Sequence, residues 1–194
     1  MCKPLKVGLC ITGSFCTHAD ILKEIPHLIA NNIDITPIIS YNVASTDTRF
    51  GTAKCFIEQI TLLTNKPPIK TITEAEPLGP NNSLDILVIA PCTGNTLAKL
   101  NNGITDSPVL MAAKAHLRNN KPIVIGLSTN DGLGNSLRNI SELLNKKNIF
   151  FVPFYQDNIT LKPNSLISNT SLILPTIKEA LNNKQIQPIL NISK

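Results

Sequence analysis

The amino-acid sequence predicts a Rossmann-like α/β fold with three layers, in which helices cover both faces of a parallel sheet. Short runs of consecutive apolar residues alternate with longer segments whose apolar residues recur at the helical period. Strands that are apolar throughout are buried on both faces, which is typical of a parallel sheet with crossover helices. Hydrophobic residues make up 42% of the 194 residues, which is enough for one core.

The strands of this sheet are predicted from the apolar, β-rich runs. They lie at residues 5–12, 33–41, 69–73, 85–90, 122–128 and 149–154. The run at 85–90, DILVIA, carries the clearest strand pattern. Pro37 falls inside the second run, and because proline cannot donate a hydrogen bond to a neighbouring strand, it predicts an edge strand or a bulge.

The helices are predicted from apolar residues at the helical period. They lie at residues 17–31, 51–63, 94–101, 107–119, 134–146 and 170–183. Pro26 lies inside the first of them and removes one backbone hydrogen bond, so we expect a kink or an early break there. We expect one domain over residues 1–194, with residues 155–194 as a C-terminal extension that covers the ligand site.

Charge and hydropathy exclude several classes of protein. The formal net charge is +5, but the basic residues are scattered, which argues against nucleic-acid binding and favours small anionic ligands. No apolar run is long enough to span a bilayer, and no signal peptide is evident, so we expect a cytoplasmic protein without a membrane partner. The five cysteines include no C-x-x-C pair, so neither disulfides nor a metal site is predicted.

The strand exits carry the candidate ligand site. In an open parallel sheet, ligands bind beyond the carboxyl ends of the strands. The exits at residues 12–17, 40–46, 91–96 and 128–131 are rich in hydroxyl and amide side chains. Each exit alone is explained by helix capping, but together they predict a shared anion site. The candidate cofactor-binding residues are Gly13, Ser14, Ser40, Asn42, Pro91, Thr93, Asn95, Thr96, Ser128 and Thr129.

Common nucleotide motifs are absent. The sequence contains no G-x-x-x-x-G-K-[ST] loop, and no G-x-G-x-x-G follows the first strand. The fragment at 132–134, GLG, follows a later strand and indicates a loop and a helix start. A ligand with a single phosphate, such as a mononucleotide or FMN, fits the remaining features.

These motifs resemble the flavoprotein family of FMN-binding Rossmann-like proteins, which includes phosphopantothenoylcysteine decarboxylase and the lantibiotic cysteine decarboxylases. The resemblance rests on ITGS at 11–14, on the exit at Ser40 and on PCTGNT at 91–96. In that family a Pro-x-Ser-x-Asn-Thr segment holds the flavin. Here Pro91, Asn95 and Thr96 match it, with Thr93 in place of the serine. The resemblance implies bound FMN, with the segment at 91–96 as a flavin-phosphate loop.

A narrower resemblance extends over almost the whole chain. The blocks that carry it are YNVASTDTRFG (41–51), AEPLGP (75–80), TDSPVLMAAKAHLRNN (105–120), STND (128–131), KNIFFVPF (147–154) and QPIL (187–190). They are similar to a family from spore-forming bacteria whose members serve as the B subunit of a two-subunit oxidoreductase that forms a pyridine dicarboxylate. The resemblance implies an A subunit with a nicotinamide-type Rossmann fold, a dicarboxylate substrate, a homo-oligomer and the mother-cell cytoplasm. The hydride acceptor is either a flavin here or a nicotinamide on the A subunit.

One departure from the wider family bears on the reaction. The decarboxylases carry a Pro-x-Met-Asn segment whose asparagine takes part in catalysis, whereas residues 108–114 here read PVLMAAK. Cysteine decarboxylation is therefore disfavoured. A partner that has lost its flavin and only positions the A subunit stays open as an alternative.

Three residues are predicted to act on the substrate. A dicarboxylate carries two negative charges, so cations near the strand exits are the natural candidates. Arg49 lies in the polar loop STDTRFG and has the geometry to hold a carboxylate through two hydrogen bonds. Lys114 lies one helical turn from Arg118, although a solvated helix face explains that pair as well. His18 follows ITGSFC and is a candidate acid, base or phosphate contact, with a structural role as the alternative.

Overall fold

The computed structural model describes residues 3–191 and has helices on both faces of a seven-stranded, mostly parallel sheet. The strands are β1 (Leu5–Ile11), β2 (Ile33–Ile39), β3 (Ile86–Cys92), β4 (Ile123–Thr129), β5 (Ile149–Phe151), β6 (Phe154–Asn158) and β7 (Lys162–Ser168). The helices are α1 (His18–Ala30), α2 (Tyr41–Ser45), α3 (Ala53–Thr64), α4 (Ile72–Ala75), α5 (Gly94–Asn101), α6 (Pro108–Arg118), α7 (Ser136–Leu144) and α8 (Ile173–Leu181). Short 3-10 turns lie at Phe15–Thr17, Glu76–Leu78 and Thr170–Leu172. The predicted fold class is confirmed.

The order of the strands places a cleft between β1 and β3. The order is β2-β1-β3-β4, and β5 runs parallel to the first half of β4. The chain therefore leaves β1 towards β2 on one side and returns to β3 on the other, and ligands bind at such reversals. β7 pairs antiparallel with the end of β4, at Ser128 and Thr129, and β6 completes a hairpin with it.

The strands are apolar throughout because each one serves two cores. In β3, Ile86 and Val88 pack with α1, α3 and α8 on one face, whereas Leu87 and Ile89 pack with α5, α6 and α7 on the other. Neither core leaves a position in β3 for a polar side chain, and all seven residues of the strand are buried. This double burial explains the continuous apolar runs.

The predicted strand at 69–73 is wrong. Only Ile69 pairs with β2: its N–H donates to the Pro37 carbonyl, and its own carbonyl accepts from the Ile39 N–H, both at 2.9 Å. From Thr71 onwards the chain is helical, because the side chains of Thr71 and Glu74 form a reciprocal capping box that starts α4. The prediction that Pro37 marks an edge strand is confirmed, since β2 is the last strand on its side of the sheet.

The early break expected at Pro26 is also wrong, because α1 continues through it to Ala30. Ile21, Ile25 and Leu28 are buried along one face of α1. Their burial offsets the roughly 3 kcal/mol that a proline costs inside a helix.

The C-terminal part of the chain contains elements that the sequence analysis did not predict. Residues 154–168 form the β6–β7 hairpin, whereas the apolar side chains of α8, including Ile173 and Ile177, pack into the core. No helix within residues 3–191 combines the length and the apolar character that a membrane span requires.

Candidate functional site

A cavity of about 750 Å³ lies at the carboxyl ends of β1, β3 and β4. Its walls come from the loop after β1, the start of α5, the loop after β4, the start of α7 and the β6–β7 hairpin. This volume falls within the roughly 300–1,000 Å³ of small-molecule and cofactor sites. The cavity therefore occupies the place that the strand order predicts for a ligand.

Thr12 joins the exits of β1 and β3 across the strand reversal. Its hydroxyl donates to the Pro91 carbonyl at 2.7 Å and accepts from the Thr93 N–H at 3.0 Å. Thr12 is 1% exposed, so both hydrogen bonds are shielded from water. They fix the segment APCTGNT against the first strand, and the Ala90-Pro91 peptide bond within it is cis.

The start of α5 is capped by its own side chains. The Thr93 hydroxyl accepts from the Thr96 N–H at 3.2 Å and donates to the Thr96 hydroxyl at 3.0 Å. Thr96 is buried beneath this cap, whereas Asn95 lines the cavity. Of the motif that resembles the flavin loop, Thr93 and Asn95 thus reach the cavity, and Pro91 and Thr96 hold the loop in shape.

Hydroxyl groups connect the exits of β1 and β4. The Ser14 and Ser128 hydroxyls lie 2.6 Å apart, and the Thr17 hydroxyl lies 3.4 Å from that of Ser128. Ser14 and Ser128 line the cavity together with Gly13. They give its floor a set of neutral groups that both donate and accept hydrogen bonds.

Asp131 stands directly over the first residue of α5. Both the Thr129 and Ser136 hydroxyls donate to its Oδ1 oxygen, at 2.5 Å and 2.8 Å. These hydrogen bonds, that from Thr129 first, lower the pKa of the Asp131 carboxyl below its usual value. A Cβ on Gly94 would lie 2.9 Å from the same oxygen, so the carboxylate occupies the positive end of α5. Its charge argues against a phosphate there and favours a neutral part of the ligand.

Two cations line the cavity on separate segments. The Arg49 guanidinium lies over the Phe50 ring, 4.9 Å from its centroid, and forms no ion pair within residues 3–191. The Lys162 ammonium, at the start of β7, lies 2.6 Å from the Asp157 carboxylate. That contact raises the pKa of Lys162. Both side chains are exposed at the mouth of the cavity.

His18 is 8% exposed and lies outside the lining of the 750 Å³ cavity, but it lines a smaller cavity beside it. Its Nε2 is 2.9 Å from the Thr12 carbonyl, and its ring packs between Phe15 and Phe56. Burial lowers the pKa of His18, so the ring is neutral at pH 7 and donates from Nε2 to that carbonyl. These contacts give His18 a structural role, and its part in catalysis stays a prediction.

The remaining predicted residues also lie outside the lining of this cavity. Ser40 caps α2 by accepting from the Val43 N–H at 3.5 Å, and Asn42 lies beside Gly13. Lys114 is exposed on α6. The cavity thus brings together Gly13, Ser14, Arg49, Thr93, Asn95, Ser128 and Thr129.

A second cavity of about 360 Å³ adjoins the first, and the two share Phe15, Cys16 and Phe50 in their walls. The segment after β2 lines this smaller cavity through Thr46 and Thr48, whereas Arg49 of the same loop lines the larger one. The start of α3 also lines it, where Thr52 caps the helix. The four polar strand exits therefore contribute to two adjoining cavities.

Lys162 and Asp157 are site residues that the sequence analysis missed. They lie on the β6–β7 hairpin, whose sequence has apolar pairs at 154–155 and 166–167 on either side of a mostly polar stretch with the exposed turn at 159–161. The two apolar pairs that flank this polar stretch are the signal that could have predicted a hairpin. Among residues 3–191, no group of three or more His, Cys, Asp or Glu side chains is placed to hold a metal ion.

The cavity fits a flavin mononucleotide in size and chemistry. Its volume exceeds that of the ring system, and its polar surface consists of hydroxyls, amides, two carboxylates and two cations, of which the hydroxyls and amides suit a polar ring edge and a ribityl chain. A Cβ on Gly94 would come within 2.9 Å of three side-chain oxygens, so only glycine lets those groups approach the loop.

Comparison with known proteins agrees with this site. The sequence model of the Flavoprotein family matches residues 1–177. The B subunit of dipicolinate synthase from Bacillus subtilis (strain 168) is 47% identical over 188 residues, which cover 97% of this chain and 94% of that protein. The crystal structure of the B subunit of dipicolinate synthase from Bacillus halodurans superposes with a TM-score of 0.90 at 44% identity, over the full length of both chains.

More distant structures share the fold alone. The FMN-dependent cysteine decarboxylase SpaF has a TM-score of 0.65 at 19% identity, covering 93% of this chain and 97% of its own.

The family of the chain follows from the sequence matches. The Flavoprotein model covers most of the chain, and the B. subtilis relative aligns with it over nearly its full length. The chain belongs to the Flavoprotein family and, within it, to the group of dipicolinate synthase B subunits.

Proposed function

We propose that the chain binds FMN and acts as the B subunit of a dipicolinate synthase. In this role it works with a separate A subunit to oxidise dihydrodipicolinate to pyridine-2,6-dicarboxylate during sporulation, as a homo-oligomer in the mother-cell cytoplasm. The observation that carries the proposal is the 750 Å³ cavity, in which hydroxyls from three strand exits and the Arg49 guanidinium surround one space. The 47% identity to a protein of that name supports the choice of reaction.

The oxidation removes one hydride and one proton from the dihydropyridine ring. A bound FMN would supply a two-electron acceptor for the hydride, and a nicotinamide on the A subunit is the other candidate acceptor. Ser14, Ser128 and Asn95 would hold the polar edges of the flavin by hydrogen bonds. Of the two carboxylates that line the cavity among the described residues, Asp157 is paired with Lys162, which leaves Asp131 as the candidate proton acceptor.

Absorbance spectroscopy of the purified chain, before and after addition of FMN, tests the cofactor. We expect the bound flavin bands to shift and the protein to retain FMN through gel filtration. Absence of binding at micromolar FMN would refute the cofactor.

Reconstitution tests the reaction. Oxidation of dihydrodipicolinate is measured with the A subunit alone, with this chain alone, with both, and with Arg49→Ala in this chain. We expect activity only in the mixture and a loss of at least about 10-fold with Arg49→Ala. Equal activity of A alone and of the mixture would refute an essential role for this chain.

A non-catalytic partner is the second candidate function, because residues 108–114 lack the Pro-x-Met-Asn segment of the decarboxylases. It predicts an active mixture in which this chain retains no FMN and tolerates Arg49→Ala. A decarboxylase would instead release carbon dioxide from a peptidyl or pantothenoyl cysteine, which the same preparation can be tested for directly.

A further inference from the structure

We infer that Arg49 and Lys162 form a two-cation subsite that binds the two carboxylates of one small dicarboxylate, with one carboxylate on each cation. The inference deepens the proposed function and rests on it for the identity of the dicarboxylate. Its physical basis is the placement of these two side chains at one cavity.

Arg49 and Lys162 are the candidates for this subsite because of their positions in the cavity wall. Among the described residues, no other lysine or arginine lines the 750 Å³ cavity. Arg49 belongs to the loop between α2 and α3, whereas Lys162 is the first residue of β7, so they approach the cavity on different segments of the chain. A dicarboxylate offers one carboxylate to each of them.

Arg49 is free to bind a carboxylate. Its guanidinium packs on the Phe50 ring and forms no ion pair within residues 3–191. A guanidinium carries five N–H donors in a fixed fork, which suits a bidentate hydrogen-bonded pair with a carboxylate. Phe50 is 55% exposed and offers a flat apolar surface beside this pair, which suits a planar ring.

Lys162 is held by one partner and has donors to spare. An ammonium carries three N–H groups, and the contact with Asp157 at 2.6 Å uses one of them. The side chain of Lys162 is 57% exposed and that of Asp157 is 33% exposed, so the pair lies at the surface of the cavity rather than beneath it. A second carboxylate can therefore join Lys162 in competition with Asp157.

The two carboxylates of the lining leave both cations accessible to a ligand. Asp131 receives hydrogen bonds from Thr129 and Ser136, and Asp157 is neutralised by Lys162. Both carboxylates thus have partners, whereas the Arg49 guanidinium has no ionic partner within residues 3–191. The two cations and two carboxylates of the lining sum to zero net charge, so a dicarboxylate is selected by its local contacts with Arg49 and Lys162 rather than by a net positive charge.

Isothermal titration calorimetry in metal-free buffer tests the subsite, because pyridine-2,6-dicarboxylate is a stable probe that also chelates divalent cations. Pyridine-2-carboxylate is the probe with one carboxylate. We expect the wild-type chain to bind the dicarboxylate at least about 10-fold more tightly. Arg49→Gln and Lys162→Gln should each reduce the affinity for the dicarboxylate about 10-fold, with the thermal unfolding temperature unchanged.

Asp157→Asn should strengthen the binding of the dicarboxylate, whereas the two cation variants weaken it. Because it removes the carboxylate that competes for Lys162, we expect about 2- to 5-fold tighter binding of the dicarboxylate. In the double variant Asp157→Asn/Lys162→Gln this gain should disappear, which shows that it acts through Lys162 rather than through the fold. Lys23→Gln is the matched control, since this lysine is exposed on α1, outside both cavities, and its loss should leave the affinities for both probes unchanged.

The outcomes separate the subsite from the proposed function. Wild-type affinity for the dicarboxylate in both Arg49→Gln and Lys162→Gln, or equal binding of the two probes, overturns the subsite even if FMN binds. Dicarboxylate binding that depends on both cations, in a chain that fails to bind FMN, supports the subsite and refutes the flavin cofactor.

Discussion

At the scale of single residues, the network around Gly94 explains the composition of the loop after β3. The oxygens of Thr129, Asp131 and Ser136 converge on the space that a side chain at this position would need. The ideal Cβ would lie 2.6 Å from the Ser136 hydroxyl and 2.7 Å from the Thr129 hydroxyl, distances that folded proteins do not tolerate. A glycine is therefore required by its neighbours rather than by its own backbone angles.

Gly94→Ala should lower the free energy of unfolding by about 1–3 kcal/mol, because the methyl group displaces the hydroxyls from Asp131. Urea unfolding measures this loss. Gly134→Ala is the control, since its Cβ would meet nothing closer than 3.4 Å and should change stability by less than about 0.5 kcal/mol. Equal stability of the two variants would contradict the account of the Gly94 network.

The burial of His116 predicts that the stability of the fold depends on pH. The residue is 6% exposed, its Nε2 has no hydrogen-bond partner within residues 3–191, and burial, helped by the Lys121 charge, lowers the pKa of His116 to about 4. The unfolded chain takes up a proton near pH 6.5, whereas the folded chain takes it up only near pH 4. Acidification between these values therefore favours unfolding, by about 3 kcal/mol when complete.

His116→Met removes this titration and keeps a similar volume. The difference in unfolding free energy between pH 7 and pH 4 should shrink by about 3 kcal/mol in the variant, as measured by urea unfolding at both pH values. His27→Met is the control, because the His27 side chain is 55% exposed on α1. An unchanged pH dependence in His116→Met would show that another group causes the acid destabilisation.

At the scale of elements, the β6–β7 hairpin is tied to the sheet by a buried serine. The Ser168 hydroxyl accepts from the Leu127 N–H at 2.7 Å and donates to the Val152 carbonyl at 3.2 Å. It therefore connects β4, the segment after β5 and β7 at the point where β5 stops pairing with β4. Ser168 is 5% exposed, so water cannot replace either hydrogen bond.

Ser168→Ala should lower the free energy of unfolding by about 1–3 kcal/mol, because two buried backbone groups lose their partner. Ser165→Ala is the matched control on the same strand, since the Ser165 hydroxyl makes only a long contact of 3.5 Å to the Asn130 carbonyl. Chemical denaturation of both variants is the measurement. A loss in Ser165→Ala as large as that in Ser168→Ala would refute the role of Ser168.

At the scale of the whole molecule, two adjoining cavities share one wall of aromatic and thiol side chains. Together they provide about 750 Å³ at the ends of β1, β3 and β4 and about 360 Å³ beside α3. A cofactor that fills the larger cavity touches segments from residues 13 to 167, which are distant in sequence. Its binding should therefore stabilise the fold as a unit.

FMN at 100 times its dissociation constant should raise the free energy of unfolding by about 2.7 kcal/mol. For a domain of this size, that corresponds to a rise of roughly 5–10 °C in the thermal unfolding temperature. Riboflavin, which lacks the phosphate, is the control and should give a smaller shift at the same concentration. No shift with FMN would contradict a flavin site.

Much of this arrangement follows from local sequence signals, because burial on two faces makes β3 apolar throughout and Thr93 caps α5 within one turn. Which exits share a cavity depends instead on packing over long distances. Ser40 belongs to an equally polar exit but lies outside the main cavity, whereas Lys162 enters it. The position of Lys162 depends on β7 pairing with the part of β4 that the three-residue β5 leaves uncovered, and no local pattern encodes that pairing.

One edge of β4 pairs with two different segments, which separates the residues that fix the fold from those that line the cavity. Ile123–Ile125 pair with β5 and belong to the folding core, whereas Ser128 and Thr129 pair with the hairpin that carries Asp157 and Lys162. Changes of length or charge in the exposed turn at 159–161 therefore leave the register of the parallel strands unchanged. Substitutions at Asp157 and Lys162 can alter which ligands the cavity accepts, while the loops after β1, β3 and β4 that form its other walls stay the same.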